Sequence, residues 1–384
     1  MNFPVNPCTY STKGVSKGEE LVLLSADLFQ DKPVAVNTMR KTNSLHYDKV
    51  LGPVNGLICF IDTSEYAVQI YNVCTREVTP WISSAVFMEE KRMTNSGKYL
   101  VIGGANYQFG FDAITNEHKV VFGWRILDRV PCQVCEVLTV GDNKWRTIDE
   151  VPLIQLDGHG INVHANGSLY WYVPYWRRSG RPVIELNDDP TEDFAEFLVV
   201  FDIGSEKFRM IKIPGTHFDL FGSVNALLEV DEGIAILRRN DDGFEMWIFD
   251  DRDKKENGTT TNSVSDKLWS TAVTITLPCY LCSDQPFYFH SISGTDQIII
   301  ETNTETLSRR KKFYEETGEK RIALTWIYSY NWKENTMAKI DIRAISSAIP
   351  SEFNWVTKLC STFVESLLTV RKKLHHHGTQ PQET

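Results

Sequence analysis

A chain of 384 residues allows one large or two ordinary domains, and 42% hydrophobic with 23% charged residues is globular composition, which excludes general disorder. The formal net charge of −10 speaks against nucleic acid as a partner, because that affinity rests on clustered Lys and Arg. No apolar run reaches the ~18 residues of a bilayer-spanning helix, and Met1 to Thr12 lacks a signal-peptide pattern, so no membrane is expected and cytoplasm or nucleus is the expected compartment.

Along the chain, short β-branched and aromatic runs alternate with Gly, Asn and Asp. They begin with Glu20 to Ser25 and Pro33 to Val36, and continue through Gly56 to Phe60, Tyr66 to Tyr71, His118 to Phe122 and Cys135 to Thr139. Phe197 to Phe201, Gly233 to Leu237 and Gln297 to Ile300 follow. Helical periodicity is scarce, and only Lys311 to Thr317 and part of Asn354 to Leu368 carry it.

A hairpin of one type recurs: an apolar strand, a polar turn and a return strand that opens on a basic or aromatic residue. It spans Gln69 to Trp81, Cys135 to Ile148, Leu198 to Pro214 and Trp326 to Asp341, and Met246 to Asp250 starts another whose return lies near Trp269. A second type precedes three of these, at His164 to Tyr172, Glu229 to Leu237 and His290 to Ile300. Two hairpins make a four-stranded sheet, which cannot bury both faces alone, so repetition implies stacking in a ring.

Five such units fall near 46–82, 107–149, 162–214, 224–277 and 286–342. A sixth forms if Glu20 to Ser25 and Pro33 to Val36 pair with Thr362 to Leu368, which closes the ring. The expected fold is therefore an all-β, kelch-like β-propeller of six four-stranded blades, with five or seven left open. Residues 1–19 read as a disordered lead, 20–368 as the propeller domain and 369–384 as a disordered tail.

The sequence resembles the plant F-box-associated domain, type 3. The resemblance rests on Gly52-Pro-Val-Asn-Gly-Leu-Ile-Cys59, Tyr71-Asn-Val-Cys-Thr-Arg-Glu77, Phe109-Gly-Phe-Asp112 with His118-Lys-Val-Val121, and Cys135-Glu-Val with Lys144-Trp-Arg146. Asn166-Gly-Ser-Leu-Tyr-Trp171, Phe201-Asp-Ile with Glu206-Lys-Phe208, and Phe363-Val-Glu-Ser-Leu367 continue it in the same order. It implies substrate recognition for a Skp–cullin–F-box ubiquitin ligase. The residues before Glu20 carry no leucine- and proline-rich F-box pattern, so a Skp-type adaptor is an expected partner only if an F-box is supplied elsewhere.

Several constellations suggest chemistry. The pairs Cys132/Cys135 and Cys279/Cys282 would suit zinc, yet residues three apart on a strand point to opposite faces, so packed thiols and no metal are expected. Asp157, His159 and His164 read as a turn carboxylate beside structural imidazoles. No G-x-S-x-G elbow and no phosphate-binding G-x-x-x-x-G-K-[ST] loop occurs, so neither an enzyme nor a cofactor is expected. The tryptophans at 81, 124, 145, 171, 247, 269, 326 and 332 read mainly as packing residues.

The expected partner contact is Tyr175, Trp176, Arg177 and Arg178. They leave a strand for a long loop with an acidic end, and these residue types anchor many protein interfaces. The alternatives are a carbohydrate-binding propeller with Trp and Tyr platforms, and a hydrolase that uses Asp157 with His159.

Overall fold

Apolar runs punctuated by Asn, Asp and Gly become the strands of four-stranded antiparallel meanders. In a computed structural model, the described residues are 47, 49–96, 102–127, 132–152, 161–173, 196–213, 224–230, 233–240, 243–249, 269–276, 287–292, 294–303 and 325–340. The backbones of β1 (Asn2–Pro7), β2 (Leu21–Asp27), β3 (Val36–Thr42) and β24 (Thr357–Leu359) are described as well.

Continuous chain builds five sheets, and their limits follow the repeats in the sequence. The first holds β4 (Lys49–Val54), β5 (Leu57–Asp62), β6 (Ala67–Asn72) and β7 (Ile82–Ser83). An 11-residue helix, α1 (Ala85–Asn95), leads to β8 (Ile102–Asp112), β9 (Glu117–Ile126), β10 (Cys132–Thr139) and β11 (Trp145–Ile148). The third sheet comprises β12 (Asn162–Ala165), β13 (Ser168–Val173), β14 (Phe197–Asp202) and β15 (Lys207–Lys212).

The fourth sheet has β16 (Val224–Val230), β17 (Gly233–Asn240), β18 (Gly243–Phe249) and β19 (Trp269–Thr276). The fifth has β20 (Phe287–Ser291), β21 (Gln297–Asn303), β22 (Thr325–Asn331) and β23 (Thr336–Ile340). The chain is an all-β propeller whose five consecutive blades each consist of one of these meanders. A further four-stranded sheet, in the order β24-β1-β2-β3, joins the two ends of the chain.

The joining of the ends differs in detail from the sequence expectation. The C-terminal partner is Thr357–Leu359, with Val5 opposite Leu359, while 362–368 lies outside the described residues. Asn2–Pro7, within the stretch read as a lead, pairs with both β2 and β24. Of the two stretches expected to hold helix, 354–368 contains β24 at Thr357–Leu359, and its remaining residues, like 311–317, lie outside the described residues.

The core lies between blades, not inside them. One cluster packs Leu57, Ile70 and Phe87 against Phe109, Phe122 and Trp124; another packs Val121 and Val137 against Trp171 and Phe201. Tyr170 and Leu198 meet Ile236 and Phe249 at the third seam, and Leu237 and Met246 meet Ile298 and Tyr330 at the fourth. A middle strand touches a neighbour on each face, which is why β5 and β13 are buried at five successive positions where a half-buried strand would alternate.

Turn chemistry fixes the strand lengths. Asp62, Asn72, Asp112, Asp202 and Asn331 each end a strand and accept backbone N–H groups from two or three residues on. Four residues beyond each carboxylate or amide lies a residue of positive φ: Tyr66, Arg76, Asn116, Glu206 and Asn335. Asn55-Gly56 and Asn166-Gly167 are two-residue turns in which both residues adopt positive φ.

Candidate functional site

Strand direction alternates in a meander, so each blade has two kinds of end. First-to-second and third-to-fourth turns share one end; second-to-third and blade-to-blade connections share the other. The first end carries most of the tight Asx turns. The second carries α1 and the connection 174–195 between β13 and β14.

The helix α1 is fastened there by a buried carboxylate. Glu136 of β10 is fully buried. Ser84 Oγ donates to its Oε2 at 2.5 Å, Trp124 Nε1 donates to Oε2 at 2.7 Å, and Val86 N donates to Oε1 at 3.1 Å. Ser84 also caps the helix by accepting from Phe87 N at 3.1 Å. Three donors and the positive end of a helix thus surround one acidic group. Tyr66, in a left-handed conformation, places its ring 5.0 Å from Phe87 and 4.8 Å from Trp124, which seats α1 on the first blade.

A second clamp holds the base of the 174–195 connection. Tyr172, just before it, donates its hydroxyl to the carboxylate of Glu196, just after it, and Arg238 of the next blade donates to the same carboxylate. Burial, reinforced by that carboxylate, pushes the Tyr172 phenol well above its ordinary value. Ile213 N donates to Glu196 O at 2.9 Å. Both stems of the connection are therefore tied to the third blade, and one is tied to the fourth as well. Tyr175, Trp176, Arg177 and Arg178 lie between the stems, outside the described residues.

The other sequence-predicted groups take structural roles where they are described. Nε2–H of His164 donates to Phe111 O at 2.8 Å, and burial lowers its pKa despite that bond. His118 donates to Val54 O at 3.1 Å, and burial pushes it down to about 4. Both imidazoles are neutral seam residues. Asp157 and His159 lie outside the described residues, as do Cys279 and Cys282. Cys135 is buried and its thiol pushed up to about 12, while Cys132, three residues away on the same strand, is exposed. No metal-holding group of three or more His, Cys, Asp or Glu occurs among the described residues.

Sequence reasoning missed three features: α1, the Glu136 anchor and an open groove at the edge of the first blade. The groove has a volume of about 280 Å³ and is lined by Asp62, Glu65, Ala67, Trp81 and Ser83. Its one sequence signal is Pro80, which lacks the N–H a return strand needs, so regular pairing with β6 is confined to Ile82–Ser83 and a single bridge between Tyr71 and Val78.

A family model described as the F-box associated beta propeller domain matches residues 14–366. Among similar Arabidopsis thaliana proteins, F-box protein At4g19940 is 29% identical over 59% of this chain and 48% of its own length. F-box protein At5g65850 is 28% identical over 56% of this chain and 48% of its own. The chain spans about half the length of the curated relatives it matches. Among solved structures, one from a nidogen/laminin complex covers 88% of this chain and 93% of its own at 9% identity and a TM-score of 0.40, too loose a likeness to carry an argument.

Proposed function

We propose, because this chain belongs to the F-box associated beta propeller family, that it is a protein-recognition module that holds a target for ubiquitin transfer. The carrying observation is the match over residues 14–366 to a domain found beside F-boxes, which fits binding of a protein partner. In a Skp–cullin–F-box ligase, an F-box makes the adaptor contact and this propeller presents the target, in the cytoplasm or nucleus. The domain works as a rigid scaffold without chemistry of its own, and it needs no cofactor, nucleic acid or membrane.

The partner contact assigned by this reading is Tyr175, Trp176, Arg177 and Arg178. Their support is the clamp of Tyr172, Glu196 and Arg238, which fixes where the connection leaves the blades. Fixed stems reduce the ordering cost of binding, and aromatic and Arg side chains supply anchoring area.

The test is affinity purification from plant tissue under proteasome inhibition, with wild type beside a variant in which all four residues are alanine. A partner enriched with wild type and lost from the equally stable variant is the expected result. Equal capture by both would move the contact elsewhere, and glycan binding without any protein partner would replace the reading.

A further inference from the structure

We propose that the groove at the edge of the first blade receives an Arg or Lys side chain of the partner protein. This rests on the protein-recognition reading above, but the groove is built from residues that reading does not use. Its origin lies in Pro80. Thr79 substitutes for regular pairing: its Oγ1 accepts Ile70 N and its carbonyl accepts Gln69 Nε2, both at 2.9 Å. The chain then rejoins β6 only at Ile82, with the indole of Trp81 partly exposed beside the small Ala67.

Among the described lining residues the polar side chains are the carboxylates of Asp62 and Glu65 and the hydroxyl of Ser83, which can donate or accept. Asp62 Oδ1 is occupied by Ser64 N at 2.9 Å, Ser64 Oγ at 2.6 Å and Glu65 N at 3.2 Å. Asp62 Oδ2 receives no hydrogen bond among the described residues. Asn72 and Asn331 close equivalent turns with an uncharged amide, so the charge on Asp62 is surplus to the turn. Glu65 pairs with Lys91 at 2.5 Å, but both side chains are about half exposed, and such a pair in water yields readily to a competing cation.

A concave site with two carboxylates and an indole wall selects a cation. The flat guanidinium or compact ammonium meets charge from Asp62 and Glu65 beside the indole of Trp81, while a neutral side chain of the same length gains contact area alone. The formal charge of −10 favours approach of a basic partner surface to the same site.

The probe is Nα-acetyl-arginine amide, titrated into the whole chain, with the uncharged citrulline amide as its control. The readout is the 15N–1H signal of the Trp81 indole, assigned with Trp81→Phe. Arginine amide is expected to give a saturable shift, with affinity about fivefold weaker in Asp62→Asn, which retains the turn acceptor. No saturable shift, an equal response to citrulline amide, or unchanged affinity in Asp62→Asn overturns the proposal. If the arginine response appears as expected while no protein partner is captured, the groove stands and the recognition reading falls. If a partner is captured equally by wild type and Asp62→Asn, the groove falls and the recognition reading stands.

Discussion

Replacing Glu136 with alanine tests the way α1 is held. The substitution deprives Ser84, Trp124 and Val86 of their acceptor, and Ser84 and Trp124 are buried too deeply for water to replace it. Hydrogen bonds to a charged acceptor contribute about 1.5 kcal/mol each at the low end, and the helix N-terminus adds about 0.5 kcal/mol. Together these give a loss of about 4–5 kcal/mol. At roughly 2 °C per kcal/mol for a chain of this size, the midpoint of thermal unfolding falls by about 8–10 °C. Glu136→Gln keeps one acceptor oxygen but turns an NH₂ toward a donor, so its effect is about half as large. Thermal unfolding followed by near-UV circular dichroism measures the ranking, and hydrogen exchange over 85–95 measures the loosening of the helix. Because Trp124 donates to Glu136, the alanine variant should lose about 1–2 kcal/mol less in a Trp124→Phe background. A midpoint drop of under 2 °C, with exchange in α1 unchanged, would refute the idea that this carboxylate fastens the helix.

Three other perturbations follow from the seams. His118 is held neutral near pKa 4 against an unfolded value of 6.5, so its contribution is complete above pH 6.5 and is lost as pH falls from there toward 4. That gap corresponds to about 3 kcal/mol, and urea midpoints between pH 7.5 and 4.5 should show it, with a flatter profile for His118→Gln. Glu206→Ala leaves the buried ammonium of Lys119 with Ile203 O and the more distant Glu117, at a loss of about 3 kcal/mol, whereas Lys119→Met with Glu206→Leu should unfold within about 1 kcal/mol of wild type. Denaturant titration of the single and double variants decides this. Gly110→Ala would place a methyl 2.5 Å from Ile203 Cδ1 and 2.8 Å from His164 Cδ2, so the second seam should lose about 1–3 kcal/mol in the same assay.

The blades were legible in the sequence because their signals are local. Runs such as Leu57-Ile-Cys-Phe-Ile61 and the Asn and Asp turns after them announce strand, length and reversal within a few residues. The helix was not legible. Of Ala85–Asn95 only Phe87 is buried, so no apolar stripe exists to be read, and what holds the segment is Glu136, more than forty residues away. The strand at Thr357–Leu359 was not legible for a related reason: it is too short to carry an alternation, and its register is set by Val5 to Pro7 at the opposite end of the chain. The packed thiol at Cys135 was legible, because residues three apart on a strand point to opposite faces, and Cys135 is buried while Cys132 is exposed.

The network around Lys119 shows why the two ends of the blades can do different work. Glu206 sits at the left-handed position of its turn, where glycine or asparagine would be the easier choice, and this sends its carboxylate to both Lys119 and Arg146 of the preceding blade. Burial raises the Glu206 pKa, but hydrogen bonds from Arg146 and Lys119 outweigh it and hold the group ionised below its ordinary range. The turn after β14 therefore acts as a latch between the second and third blades, and it tolerates little change in length. On the opposite end, by contrast, Glu136 of β10 anchors α1, and Glu196, just before β14, ties the stems of 174–195 to each other and to Arg238 of the next blade. Sequence changes between these stems leave the clamps themselves intact, and that freedom is what a recognition surface requires.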